Sequence, residues 1–231
     1  MMKRASADAH WLQPPAMRPY LVKSIARFNE ARVCSEAGAE IKACGLIQDG
    51  LDMLRAGLGA CQDPGSGMDW LRSEMLDELA VYSDRAGSGV DLPSLWGIVD
   101  WLFDYPVNRL AIYGTLRRGE PNHKIIEHIA GEWVNGLVRG RIEEHYGFPF
   151  FVSDDQGDMV SVEVLSSFEL PGSWERIDRF EGVWYHRTMI PVHDSDGSII
   201  FIANIYCKSE KMFNPGLLHR AAARGEYLQD G

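Results

Sequence analysis

The feature that most constrains the fold of this chain is a change of hydrophobic period at residues 104–108. Upstream, Ile25, Phe28 and Arg32 begin one period. Val33, Ala37, Ile41, Cys44, Ile47, Leu51, Leu54 and Leu58 continue it at intervals of three or four, the spacing of one face of an amphipathic helix. Gly38, Gly45, Gly50 and Gly57 interrupt the stripe. Each costs up to about 1 kcal/mol against alanine in a helix, so this helix depends on tertiary packing and is open to breaking. A loop at 61–67, with Pro64, Gly65 and Gly67, precedes a second amphipathic stretch built on Trp70, Leu71, Met75, Leu76, Leu79 and Tyr82. A third helix is expected after Asp91, which can cap it. Pro93 falls in its first turn, and Leu95, Trp96, Val99 and Leu102 form its apolar set.

Downstream the period shortens to two. Strands are expected at 110–113, 132–141, 148–152, 159–165, 188–192 and 199–206, with tight turns at 154–157 (D-D-Q-G) and 194–197 (D-S-D-G). Glycines within 132–141 mark a bend or bulge. Helices are expected only near 125–130 and 172–180. Many strands, short turns and few helices argue against a doubly wound sheet and predict an α+β chain: a small antiparallel or mixed β-barrel preceded by an all-α N-terminal region. The organisation is then a helical region at 1–104, a barrel at 105–208 and a tail at 209–231 with one helix around 217–224.

The net charge of −10 is shared evenly between the halves, and no dense Lys/Arg run occurs. Duplex affinity rests largely on neutralising phosphates, so nucleic acid is not an expected partner. Residues 1–10 lack the apolar segment of a signal peptide, and no stretch reaches the roughly 18 apolar residues of a membrane span. A cytoplasmic protein without membrane attachment is expected. Cys34, Cys44, Cys61 and Cys207 lack CxxC spacing and read as free buried thiols. Trp11, Trp70, Trp96 and Trp101 read as core or interface residues.

Two places could carry chemistry. Residues 113–123, Y-G-T-L-R-R-G-E-P-N-H, set glycines and a small hydroxyl residue where a strand ends. Their N–H groups could cup an anion, although an ordinary turn is the commoner meaning of such a stretch. The run matches neither a Walker loop nor a dinucleotide fingerprint. Further on, Trp174, Ile177 and Phe180 share one face of the helix that Pro171 starts and Ser173 could cap. Glu181 continues that face. A carboxylate on an apolar stripe is costly unless paired or protonated. The alternative is that the helix ends at Phe180, with Gly182 as its cap and Glu181 exposed. His123, His128, His145, His186 and His193 lack ligand spacing, so no metal site is expected. Ser153, Ser161 and Ser195 lack a nucleophile-elbow context.

The 113–123 stretch resembles the YGTLxRGxxNH signature of the gamma-glutamylcyclotransferase-like superfamily, in particular its gamma-glutamylamine cyclotransferase and AIG2-like branch. Residues 176–187, R-I-D-R-F-E-G-V-W-Y-H-R, are similar to that family's L-D-x-x-E-G…Y-x-R segment, with Ile177 in place of leucine. The resemblance covers about 108–208 and leaves the first hundred residues without a counterpart. It implies a mixed barrel that uses no cofactor, with Glu181 as the catalytic acid/base. Tyr113, Gly114, Thr115 and Leu116 would bind the α-carboxylate and amine region of a small gamma-glutamyl substrate. Tyr185 and Arg187 would shape the site.

The implied reaction suits one carboxylate. The α-amino group closes a five-membered ring on the γ-carbonyl, releasing 5-oxoproline and an amine or amino acid. Orientation then supplies much of the acceleration. An ordinary Glu has a pKa of about 4.3 against about 7.7 or more for an α-ammonium, and an apolar seat for Glu181 narrows that gap. Two other readings stay open: a tailoring enzyme that removes a gamma-glutamyl group from a specialised metabolite, and a non-catalytic binding protein on the same fold. The helical half could build a homodimer interface, a lid or a docking domain.

Overall fold

The computed structural model describes residues 14–61, 77, 91–145 and 147–209. The stretch expected to be helical around 70–82 (apart from Asp77), the tail helix at 217–224, Trp11 and Trp70 lie outside them. The chain forms two compact units. One is Met1–Arg109 with Met189–Ala203, and the other is Leu110–Thr188 with Asn204–Gly231.

In the first unit the long stripe breaks into α1 (Arg18–Glu36) and α2 (Glu40–Ala60). Gly38, at φ 75°, makes the break, a left-handed conformation that glycine adopts without Cβ strain. The break takes Val33 and Ile41 off the expected stripe, leaving them 49% and 92% exposed. The inner face of α2 is instead Ala43, Leu46, Ile47, Gly50, Leu51, Leu54, Gly57 and Leu58. Two of its glycines are contact points. A Cβ on Gly50 would lie 2.4 Å from Phe28 Cε1, and one on Gly57 would lie 2.7 Å from Met17 Sδ. What propensity counts as weakness is the clearance α2 needs for the side chains of α1.

The third helix, α3 (Leu92–Leu102), starts as its sequence predicts: Asp91 accepts from Ser94 N at 2.8 Å, with Pro93 in the first turn. Leu95, Ile98, Val99 and Leu102 join α1 and α2 in one core with Met189, Ile199 and Ile202. Trp96 packs against that core, whereas Trp101 is 48% exposed. Asn29 binds both polar groups of Met189: its Nδ2 donates to Met189 O at 3.0 Å, and its Oδ1 accepts from Met189 N at 2.7 Å. After α3 the chain turns through Asp104 and Tyr105, both at positive φ. The buried Arg109 clamps this turn, donating to the Asp104 carboxylate and to Asp104 O at 2.7 Å.

The six expected strands all form: β1 (Arg109–Ile112), β2 (Glu132–His145), β3 (Phe148–Ser153), β4 (Asp158–Ser166), β5 (Tyr185–His193) and β6 (Ile199–Lys208). Their order is β3-β2-β4-β1-β6-β5, and β2 also pairs β5. This closes five strands into a mixed barrel, with β3 as an extra strand on β2. β1 runs parallel to β6, with Leu110 opposite Asn204, while β2 is antiparallel to β3 and β4. No α-helix forms over 125–130, where a single 3-10 turn, His123–Ile125, replaces it.

Among the described residues a further α-helix, α4 (Leu170–Glu181), follows β4 in the second unit. Ser173 does not cap it. The helix begins earlier, at Leu170, and Ser173 Oγ donates back to Glu169 O at 3.1 Å. Leu170, Trp174 and Ile177 are buried, but Phe180, expected on the same face, is 40% exposed.

Candidate active site

Strand β1 carries the chain into the 113–119 loop, and α4 carries it to Glu181. The two meet at one small pocket, partly open to solvent. Leu110 to Leu116, Phe148, Pro149, Glu181, Tyr185 and Tyr206 line it. All six residues singled out from the sequence are therefore neighbours in the fold: Glu181, Tyr113, Gly114, Thr115, Leu116 and Tyr185.

The helix does not stop short of Glu181. Glu181 is its last residue, and Gly182 takes φ 64° immediately after it. The carboxyl therefore stays on the inner face, although the residue keeps partial exposure at the pocket. Burial of the carboxyl pushes its pKa up to about 8, and the charge of Asp178, one turn earlier, adds to the rise. Asp178 itself is well partnered. Its oxygens accept from Arg187 Nε at 3.1 Å and Nη2 at 3.2 Å, and from the Tyr206 hydroxyl at 2.5 Å. Arg187 in turn lies over the Trp174 ring at 4.2 Å. The arginine of the second motif thus acts at one remove from the pocket, through Asp178.

The loop is folded by its own polar groups. Asn122 N donates to Thr115 O at 3.1 Å, and Asn122 Nδ2 to Thr115 Oγ1 at 3.0 Å. His123 Nδ1 donates to Leu116 O at 3.0 Å. Arg118 N is taken by Glu163 at 2.9 Å, and the Arg118 guanidinium pairs the same carboxylate. The asparagine and histidine that end the first motif therefore serve as struts. Among the described residues, no acceptor takes the N–H groups of Gly114, Thr115 or Leu116, which leaves them available to an anion. Gly114 needs no unusual backbone angle, and a Cβ there would meet only Pro149 Cγ, at 3.7 Å.

Two tyrosines fasten the opposite wall. The Tyr113 hydroxyl accepts from Phe151 N at 3.1 Å, and the Tyr185 hydroxyl donates to Pro149 O at 3.0 Å. Burial pushes both phenols well above their ordinary range, so each stays neutral while Glu181 titrates. Sequence reasoning missed Tyr206, Phe148 and Pro149. Tyr206 sits in an almost uninterrupted apolar strand, and nothing in its neighbours marks it as a pocket residue. Among the described residues, no three His, Cys, Asp or Glu side chains gather to hold a metal ion, and no helix is long and apolar enough to cross a membrane.

Residues 110–229 match the family model described as gamma-glutamyl cyclotransferase, AIG2-like. No curated protein matches the chain. Among solved structures, the chain is similar to an uncharacterised protein of Pyrococcus horikoshii. The identity is 24%, covering 45% of this chain and 79% of that one, with a TM-score of 0.35. It is also similar to an AIG2-like protein of Mus musculus, at 19% identity over 48% and 82% of the two chains, with a TM-score of 0.36. A third, YkqA of Bacillus subtilis, is 24% identical over 53% of each chain, with a TM-score of 0.36.

Proposed function

The chain belongs to the gamma-glutamyl cyclotransferase, AIG2-like family, and on that premise we propose that it releases 5-oxoproline from a small gamma-glutamyl conjugate with Glu181 as general acid/base. Family membership supports gamma-glutamyl cyclotransferase-type activity in general. The observation that carries the finer reading is a carboxyl of raised pKa sharing one pocket with the Gly114–Thr115–Leu116 backbone.

The steps follow from that juxtaposition. The three N–H groups hold the substrate's α-carboxylate, fixing its α-amino nitrogen near the γ-carbonyl carbon. Glu181 takes a proton from the α-ammonium, and the freed nitrogen attacks that carbon. A C–N bond forms within the new five-membered ring, and the C–N bond to the departing amine breaks. Glu181 returns the proton to that amine, then passes the ring nitrogen's second proton to it as well, so the lactam keeps one N–H, the amine leaves as an ammonium and the protein ends as it began. With a pKa near 8 rather than about 4.3, the carboxylate is close to an α-ammonium in basicity. Neither transfer is then steeply uphill. Tyr113 and Tyr185 keep the walls in place.

A 5-oxoproline release assay on a panel of gamma-glutamyl amines and dipeptides tests the reading, run beside Glu181→Gln. Release by the unaltered protein and loss of at least about a hundredfold in the variant is the expected result. Equal release by both would remove Glu181 from the mechanism.

A further inference from the structure

The pocket lining combines polar groups with apolar side chains. On the cyclotransferase reading, Glu181 and the loop N–H groups account for the ammonium and carboxylate of a gamma-glutamyl group. Phe148 is also part of the pocket wall, yet it is 50% exposed. Its ring meets that of Trp184 edge-on, with centroids 5.9 Å apart. Val183, beside Trp184 on the turn after α4, is 53% exposed. Phe148, Trp184 and Val183 thus offer an apolar surface that adjoins the pocket through Phe148.

This surface is held firmly. Pro149, next to Phe148, has its carbonyl held by Tyr185, and Phe151 N donates to Tyr113. Phe150 stacks on Tyr185 at 4.7 Å and 18°. The nearby ions are already committed to one another. His145 and Glu143 lie opposite Phe148 and Phe150 across the β2–β3 ladder. Lys208 Nζ lies 2.6 Å from Glu143 Oε2 and 2.8 Å from His145 Nε2, and Arg141 Nη2 lies 2.9 Å from Glu143 Oε1. A charged leaving group would compete with these pairings, whereas a flat apolar one covers exposed ring surface.

We propose that the departing amine carries an apolar, preferably aromatic, substituent that packs on Phe148 and Trp184, and that Phe148 sets this preference. The inference rests on the cyclotransferase reading and adds the class of its leaving group. The test compares kcat/KM for 5-oxoproline release from L-γ-glutamyl benzylamide, L-γ-glutamyl methylamide and γ-glutamyl-ε-lysine. The full chain is assayed alongside Phe148→Ala and Phe148→Tyr. The unaltered chain is expected to favour the benzylamide over the methylamide by at least about tenfold, and over the lysine conjugate. The benzylamide-to-methylamide ratio falls towards one in Phe148→Ala and is kept in Phe148→Tyr. Partial misfolding lowers both rates and cancels in the ratio. A ratio near one in the unaltered chain, a preference for the lysine conjugate, or a ratio unchanged by Phe148→Ala overturns the inference while leaving the cyclotransferase reading intact. No release from any compound overturns both.

Discussion

Tyr206 donates its hydroxyl to Asp178 at 2.5 Å, and Asp178 lies one turn of helix before Glu181. The pocket's acid is therefore flanked by a second carboxylate whose charge is partly absorbed by a tyrosine on another strand and by Arg187. Tyr206→Phe removes one of those two supports while keeping the ring. We expect the Asp178 charge to act more strongly on Glu181 and the acid limb of the kcat/KM profile to move to higher pH. Loss of a buried bond to a charged acceptor should also lower stability by about 2 kcal/mol. A pH–rate profile and a denaturant titration of the variant read the two effects separately.

The pH dependence follows from the same carboxyl. The productive complex holds one proton between Glu181 and the substrate's α-amino group. Below both pKa values each group is protonated and no base exists. With Glu181 raised to about 8, kcat/KM should climb with pH through about 8. A limb near the ordinary carboxylate range, about 4–5, would mean that Glu181 is not the group that titrates.

Glu181 also affects folding. Its pKa is about 8 folded against an ordinary value of 4.5, so the unfolded chain releases this proton at lower pH than the folded one. The sign is a cost. It is absent below about pH 4.5, grows as pH rises from there, and levels off above about 8. At pH 7 it is at most about 3 kcal/mol. Glu181→Gln should therefore match the unaltered protein in Tm at pH 4 and exceed it at pH 8, while losing turnover. A variant less stable at pH 8 would contradict a buried, proton-retaining carboxyl.

Gly114 separates binding from folding. A methyl there meets only Pro149 Cγ at 3.7 Å, an ordinary contact, but it enters the pocket. Gly114→Ala should unfold within about 0.5 kcal/mol of the parent and show a raised KM for gamma-glutamyl substrates, checked by steady-state kinetics beside thermal melts.

Gly50 makes the opposite case. Alanine is the better helix former, yet its Cβ would sit 2.4 Å from the Phe28 ring. Gly50→Ala should lose about 1–3 kcal/mol because the buried ring has to move. Gly45→Ala, where a Cβ meets nothing within 4 Å, should be neutral or stabilising. Urea titrations of the pair decide it.

These two glycines show where sequence reading reached its limit. Period and propensity see Gly38, Gly45, Gly50 and Gly57 as four equal interruptions. Only packing separates a chain break at Gly38 from contact points at Gly50 and Gly57 and a solvent-facing Gly45. The strands were legible because turn residues bracket them, and the 113–116 loop and Glu181 because glycines and a charge stand out against apolar neighbours. Tyr206 and Phe148 were not. Each is one more apolar residue in an apolar strand, and only the closure of the barrel gives them a shared cavity. Phe180 misled for a related reason: helical spacing gives direction around the axis, not whether anything covers the last turn.

Strands β5 and β6 each begin in one compact unit and end in the other, since 189–203 go with the helices and the flanking stretches with the pocket. The pocket-bearing half is therefore not a separable module. Cutting the gene after codon 109 would free a fragment that takes Met189, Ile199 and Ile202 away from the helical core they complete. Recombination that swapped the N-terminal helices for an unrelated segment would have to rebuild the 189–203 hairpin as well.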